Sequence, residues 1–198
     1  MAGRGARDGS DVSADDGTAV GDRRDRPDYL TRFSMLIAAG STILDVGCGD
    51  GLPADRYLAK HGFAVNGIDA SPLMIERVWK NVPDGFYEVK DMFDLRDGEY
   101  CVNGVLSLRA LLHIPRERYH TLLKTFASFM PNGGALLLAL RSDDRGRAGD
   151  DARSALVSRH PAGVGDNTEV LEHAGFTVRV DDVGGGGQEK YHIVLACS

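Results

Sequence analysis

The stretch Ile43-Leu44-Asp45-Val46-Gly47-Cys48-Gly49-Asp50-Gly51 decides how the rest of the chain is read. An apolar run with an acid near its end meets three glycines spaced two apart. Glycine lets the backbone take φ values closed to other residues, and its missing side chain lets a ligand approach the main chain. Leu52-Pro53-Ala54 then opens a helix with proline in its first turn, where the missing N–H costs nothing. Strand, glycine turn and helix N-terminus together make a cradle for part of a nucleotide-like cofactor. The plainer alternative is a βα turn that is merely glycine-rich.

The spacing separates two cofactor classes. A nicotinamide or flavin fingerprint wants its third glycine at position 52, which is Leu52. Here the third glycine is Gly51, and Asp45 precedes the run. The pattern Asp-x-Gly-x-Gly-x-Gly resembles the first motif of class I S-adenosylmethionine-dependent methyltransferases.

Acids further along fall in the order such a site needs. Residues 64–68 read as a second strand ending in Asp69, which lies 22 residues beyond Gly47. That is close to the roughly 20-residue offset at which a carboxylate holds ribose hydroxyls. A carboxylate suits a diol because it offers acceptors to two neighbouring O–H donors. The competing role for Asp69 is an N-cap for the helix starting at Pro72, although Ser71 fits that post better. A third strand over 86–90 ends in Asp91-Met92-Phe93. In similar methyltransferases the acid here accepts the adenine amino group and the next residues pack on the ring. A polarizable thioether and a flat aromatic suit that packing. The other reading is a solvated acid beside two core hydrophobes. The resemblance also assigns Cys48, Ala70, Met74 and Leu108 to the cofactor, while Tyr29 and Arg109 are candidates for the substrate.

The 198 residues, 42% hydrophobic and 26% charged, suit one domain with a substantial core. A net charge of −6 argues against a nucleic-acid partner bound through its phosphates. Cys48, Cys101 and Cys197 are odd in number and lack metal-ligand spacing, so they read as reduced thiols of a cytoplasmic protein with no metal site. No apolar segment reaches membrane-span length, and no signal h-region opens the chain.

Residues 1–26 hold no apolar periodicity and are expected to be a disordered tail, or else a lid over bound cofactor; residues 27–198 form a single domain. Tyr29, Leu30, Phe33, Met35, Leu36 and Ile37 predict an amphipathic helix. From Thr42 onward strand and helix periods alternate, which implies a parallel sheet with helices on both faces. Strands are expected at 42–46, 64–68, 86–90, 102–108 and 135–140, and helices at 53–61, 72–80 and 115–130. A helix at 167–174 meets Gly175, then two strands near 176–182 and 191–197 flank Gly184–Gly187, read as a flexible hairpin connection. This ending resembles the methyltransferase fold: an α/β, Rossmann-like sandwich whose mostly parallel seven-stranded sheet carries an antiparallel last strand.

The end of the fourth strand, Ser107-Leu-Arg-Ala-Leu-Leu-His-Ile-Pro-Arg116, looks like a subset of small-molecule methyltransferases. His113 is the candidate general base, being near the mouth and titratable near neutrality; the competing role is packing or capping. His120 and His160 are weaker candidates, and Asp143 and Asp144 at the end of the fifth strand read as loop acids or as lining of the acceptor pocket. Arg109 stands where relatives often place an aromatic; a guanidinium there can hold an acceptor carboxylate, and the competing reading is that it points to solvent from the loop. Asn103 replaces an acid that many relatives carry, which puts an acid/base role at that position in doubt. The implied reaction is in-line methyl transfer from S-adenosylmethionine to a small molecule by a monomer or homodimer. The alternatives are a protein that binds the cofactor without transferring methyl, and a nicotinamide oxidoreductase, which Leu52 disfavours. Residues 141–166 are read as covering the acceptor pocket.

Overall fold

The computed structural model describes residues 29–108, 110–141, 164–186 and 189–198. From the N-terminal side, α1 (Tyr29–Ser34) leads into β1 (Thr42–Val46), α2 (Ala54–Lys60), β2 (Ala64–Asp69), α3 (Pro72–Asn81) and β3 (Phe86–Val89). Then come β4 (Gly104–Ser107), α4 (Tyr119–Ser128), β5 (Ala135–Arg141), α5 (Val164–His173), β6 (Thr177–Gly186) and β7 (Glu189–Cys197). Short 3-10 turns stand at Met92–Asp94, Ala110–His113 and Arg116–Arg118.

The strands form one sheet in the order β3-β2-β1-β4-β5-β7-β6. The first five are parallel, and β7 runs antiparallel between β5 and β6. The parallel strands are those expected from the alternating periods, and the antiparallel last strand is the one that the resemblance implied. Because both faces are covered, the central strands are apolar on both sides: Ala135 to Leu140 of β5 are all buried. Leu44 and Val46 join α4 and α5 in one core cluster, with Val105, Leu136 and Leu138. Ile43, Val65, Leu106 and Leu137 face the other way, onto Phe33, Leu58, Ile75 and Val78 of α1, α2 and α3. Period-two alternation puts Asp45 in the row of Ile43, toward α2.

Some element bounds differ from expectation, each for a local reason. The helix α1 stops at Ser34, whose hydroxyl bonds back to the Thr31 carbonyl. Side-chain competition of this kind weakens a helix end. Met35 and Leu36 consequently leave the apolar face and are exposed at 79% and 45%. The helix expected over 115–130 opens as a 3-10 turn, Arg118 N–H to the Pro115 carbonyl, and α4 begins only at Tyr119. No Ser, Thr, Asp or Asn is placed there to cap an α-helix start. Gly184 to Gly186 are not a loose connection but part of β6, paired with Tyr191, Lys190 and Glu189. Pairing uses only backbone groups, which glycine supplies. The fourth strand is shorter than 102–108, because Val102 and Asn103 turn their N–H groups to Phe129 and Thr42.

Asn103 sits at the N-terminal edge of β4, and its side-chain oxygen accepts from the Thr42 N–H at 3.3 Å. It ties strands together at the end of the sheet opposite the strand C-termini and has no place in acid/base chemistry there. The expectations for residues 1–26 and for 142–163, with His160, Asp143 and Asp144, lie outside the described residues, as does Arg109. Gly175 ends α5 as expected, with φ +95° and the Phe176 N–H reaching back to the Leu171 carbonyl.

Candidate cofactor site

Ligands of open α/β sheets gather outside the strand C-termini where the strand order reverses, here between β1 and β4. The turn after β1 is pinned from beneath. The N–H groups of Gly47 and Cys48 both donate to the Ile68 carbonyl, at 2.8 and 3.0 Å. Asn81 of α3 donates to the Asp50 carbonyl at 2.9 Å.

The three glycines of the turn all take positive φ but do different work. A Cβ on Gly47 would stand 2.2 Å from the Ala110 Cβ, and one on Gly51 would stand 2.6 Å from a Val78 methyl. Those two glycines let protein pack on protein. A Cβ on Gly49 would meet nothing within 4 Å, so this is the glycine that faces open space. The Cys48 thiol turns away into the core beside Gly67, and burial pushes its pKa up. Only the Cys48 backbone belongs to the turn's surface.

Asp69 closes the turn from β2. One carboxylate oxygen accepts from Gly49 N–H at 3.0 Å and the other from Ser71 N–H at 2.8 Å. Ionised carboxylates offer about four acceptor sites, so half remain for a ligand's hydroxyls. Ser71, and not Asp69, is the N-cap of α3, accepting from the Met74 N–H. Ala70 is exposed beside it, and Met74 is half-buried in the first turn of α3.

Beyond β3 lies a cavity of about 880 Å³, lined among others by Ala70, Val89, Lys90, Asp91 and Phe93. Asp91 caps the following 3-10 turn, accepting from Phe93 N–H at 2.9 Å. Met92 and Phe93 divide: Met92 packs against the core, while Phe93 faces the cavity. The Arg118 guanidinium lies 5.2 Å from the Phe93 ring centre, a contact worth about 0.5–1 kcal/mol at an exposed site. Ion pairing of Lys90 with Glu99, and a hydrogen bond from Tyr100 to Glu88, hold the cavity wall.

The remaining sequence candidates are placed as follows. Leu108 packs against the α1–α3 core cluster, and Tyr29 does the same from α1. His113 is exposed, three residues after Ala110 in a 3-10 turn, which puts the two on one side of that turn. His120 is exposed on α4. Sequence reasoning missed Arg118, which carries no signal beyond one more basic residue in a polar turn. It also missed Asp55, an acid between Ala54 and Leu58 on the buried face of α2. An acid in an apolar stripe was the legible sign.

A family model described as a methyltransferase domain matches residues 43–134. Over 105 residues the chain is 30% identical to 27-O-demethylrifamycin SV methyltransferase of Amycolatopsis mediterranei, covering 50% of this chain and 38% of that protein. It is 36% identical over 114 residues to 2-methyl-6-phytyl-1,4-hydroquinone methyltransferase of Synechocystis, covering 54% and 34%. The chain spans between 31% and 59% of the curated relatives it matches. Among solved structures, magnesium protoporphyrin IX methyltransferase of Synechocystis, with bound S-adenosylmethionine, superposes with a TM-score of 0.65 at 20% identity, covering 85% of this chain and 74% of that one. Residues 43–134 therefore match the methyltransferase domain model, and the chain as a whole carries the Rossmann-like fold of S-adenosylmethionine-dependent methyltransferases.

Proposed function

We propose that this protein transfers a methyl group from S-adenosylmethionine to a small-molecule acceptor. The observation that carries the reading is the alignment of three features along the strand C-termini: open backbone at Gly49, a half-committed Asp69 carboxylate, and the cavity beside Asp91 and Phe93. The residues fit the cofactor in that order. The turn would take the methionine end, Asp69 the ribose hydroxyls, and Asp91 with Phe93 the adenine.

When bound, S-adenosylmethionine supplies an electrophilic methyl on a sulfonium that leaves as a neutral thioether. The chain's own part is to position the acceptor in line and to exclude water, which can supply most of the acceleration. His113, exposed on the turn whose Ala110 packs over Gly47, would take a proton from an acceptor hydroxyl. The names of the two curated relatives, a rifamycin precursor and a phytylhydroquinone methyltransferase, favour a small organic acceptor.

Thermal unfolding with S-adenosylhomocysteine tests the cofactor assignment. At about 100 times its dissociation constant the ligand should add roughly 2.7 kcal/mol. For a domain of this size the midpoint rises on the order of 5–10 °C. Asp69→Ala should weaken binding by about 1–3 kcal/mol, the cost of losing a charged acceptor. A wild type that shows no shift, or an Asp69→Ala variant that binds normally, contradicts the assignment.

A further inference from the structure

Beneath the glycine turn the sheet carries a polar row that the cofactor site does not use directly. In the parallel register Asp45 of β1 lies opposite Gly67 of β2, and Gly67 lies opposite Tyr87 of β3. Gly67 makes the row possible, since a Cβ there would stand 2.6 Å from the Tyr87 ring. Asp55 of α2 closes the row from above, its Cβ 3.4 Å from where a Gly51 side chain would begin. Asp55 is 0% exposed and Asp45 5%.

Drawn as two carboxylates, these residues make no chemical sense. The one hydroxyl that faces Asp55 is that of Tyr87, and no other side chain donates to Asp55 or to Oδ1 of Asp45. An unpartnered buried carboxylate is among the costliest groups a fold can hold. The charged groups acting on the pair are Asp50 and Asp69, both acids, while Cys48 and Tyr87 are its neutral neighbours. Among the described residues no group of three or more ligands is arranged to hold a metal, so a bound cation does not resolve the charge. A single proton does: one acid becomes a donor and the other accepts, as in other carboxyl pairs too close to ionise together.

We infer that Asp45 and Asp55 share one proton beneath the glycine turn, and that Asp55 is a positioning residue whose hydrogen bond to Asp45 keeps the turn shaped for the cofactor. The role rests on the cofactor reading above. Asp55 acts only through Asp45 and the turn, because it is enclosed and reaches neither the open face of Gly49 nor the cavity. Burial pushes the Asp55 carboxyl up to about 6. Burial and the adjoining Asp55 charge hold Asp45 well above the usual carboxylate range. The unpartnered, enclosed oxygens and this upward direction both favour a pair that holds one proton, and losing it to alkali would leave two adjacent charges that force the turn apart.

The test pairs a spectroscopic signature with a binding profile, using S-adenosylhomocysteine as probe on the full chain. The infrared spectrum of the wild type at neutral pH should show a protonated-carboxyl C=O band that Asp55→Asn removes. Wild-type affinity should fall as pH rises above neutrality. Asp55→Asn removes the second carboxylate and can donate its amide N–H to an ionised Asp45, so its affinity should stay within a fewfold of wild type at neutral pH and lose the alkaline decline. Asp55→Ala should lose roughly tenfold in affinity. A missing band in the wild type overturns the shared proton. Identical alkaline profiles for wild type and Asp55→Asn overturn the positioning role. If the band is present but the wild type binds no probe at any pH, the cofactor reading fails, the positioning role fails with it, and the shared proton stands.

Discussion

At the scale of single residues, three glycines that look equivalent on paper separate into two kinds. Gly49→Ala places a side chain at φ +57° in open space, so it should cost about 1–2 kcal/mol of stability. Gly51→Ala meets the same backbone penalty and also drives a Cβ into Val78, adding about 1–3 kcal/mol of overpacking. Urea unfolding should rank Gly51→Ala as the less stable, while S-adenosylhomocysteine titration should show Gly49→Ala as the weaker binder for its stability. The reverse ranking in unfolding would contradict the packing role assigned to Gly51. The buried acids give a second residue-scale prediction. Asp55 is raised in the folded chain, so the folded state holds its proton more tightly than the unfolded state does. Its contribution is fully present below the ordinary Asp value and is lost as pH rises through about 6. Unfolding free energy should therefore decline between about pH 4 and about pH 7. Asp55→Asn should flatten that decline, and an equal slope in both proteins would show that Asp55 does not carry it.

At the scale of elements, local sequence and tertiary setting decide different ends of the same segment. The start of α3 was legible because Ser71 and Pro72 are the residue types that an N-cap and first turn call for, and both hold those places. The end of α1 was not, because the apolar spacing runs on through Leu36 while a single hydroxyl at Ser34 turns the chain. What fixes α1 is Phe33, fully buried, with its ring against Gly104 of β4. Phe33→Ala should cost about 3–5 kcal/mol, most of it by leaving a cavity between α1 and the sheet. Denaturant titration measures this directly. A loss under about 1 kcal/mol would mean the site collapses on removal of the ring. Gly184–Gly186 teach the converse lesson. Read alone they are a loop, yet β7 supplies a ladder of partners that holds them in β6.

At the scale of the whole molecule, the alternation of strand and helix periods carried the architecture, and the Asp-x-Gly-x-Gly-x-Gly turn with the acids at 69 and 91 carried the cofactor side. Both are local signals repeated along the chain: apolar periodicity records which face is buried, and a turn that must bend through positive φ records it as glycine. The sequence by itself therefore determined the layered α/β fold, the order of its first elements and the positions of the glycine turn and its downstream acids. Only the tertiary structure decided which glycine faces open space, that Met92 turns inward while Phe93 lines the cavity, and that Arg118 crosses to the Phe93 ring. Only it brought Asp45, Gly67, Tyr87 and Asp55 into one enclosed row from four separate elements or turns. The reason is physical. A residue's conformation and its side of a strand are set by near neighbours in the chain, whereas desolvation and contact between side chains depend on what the fold packs against them.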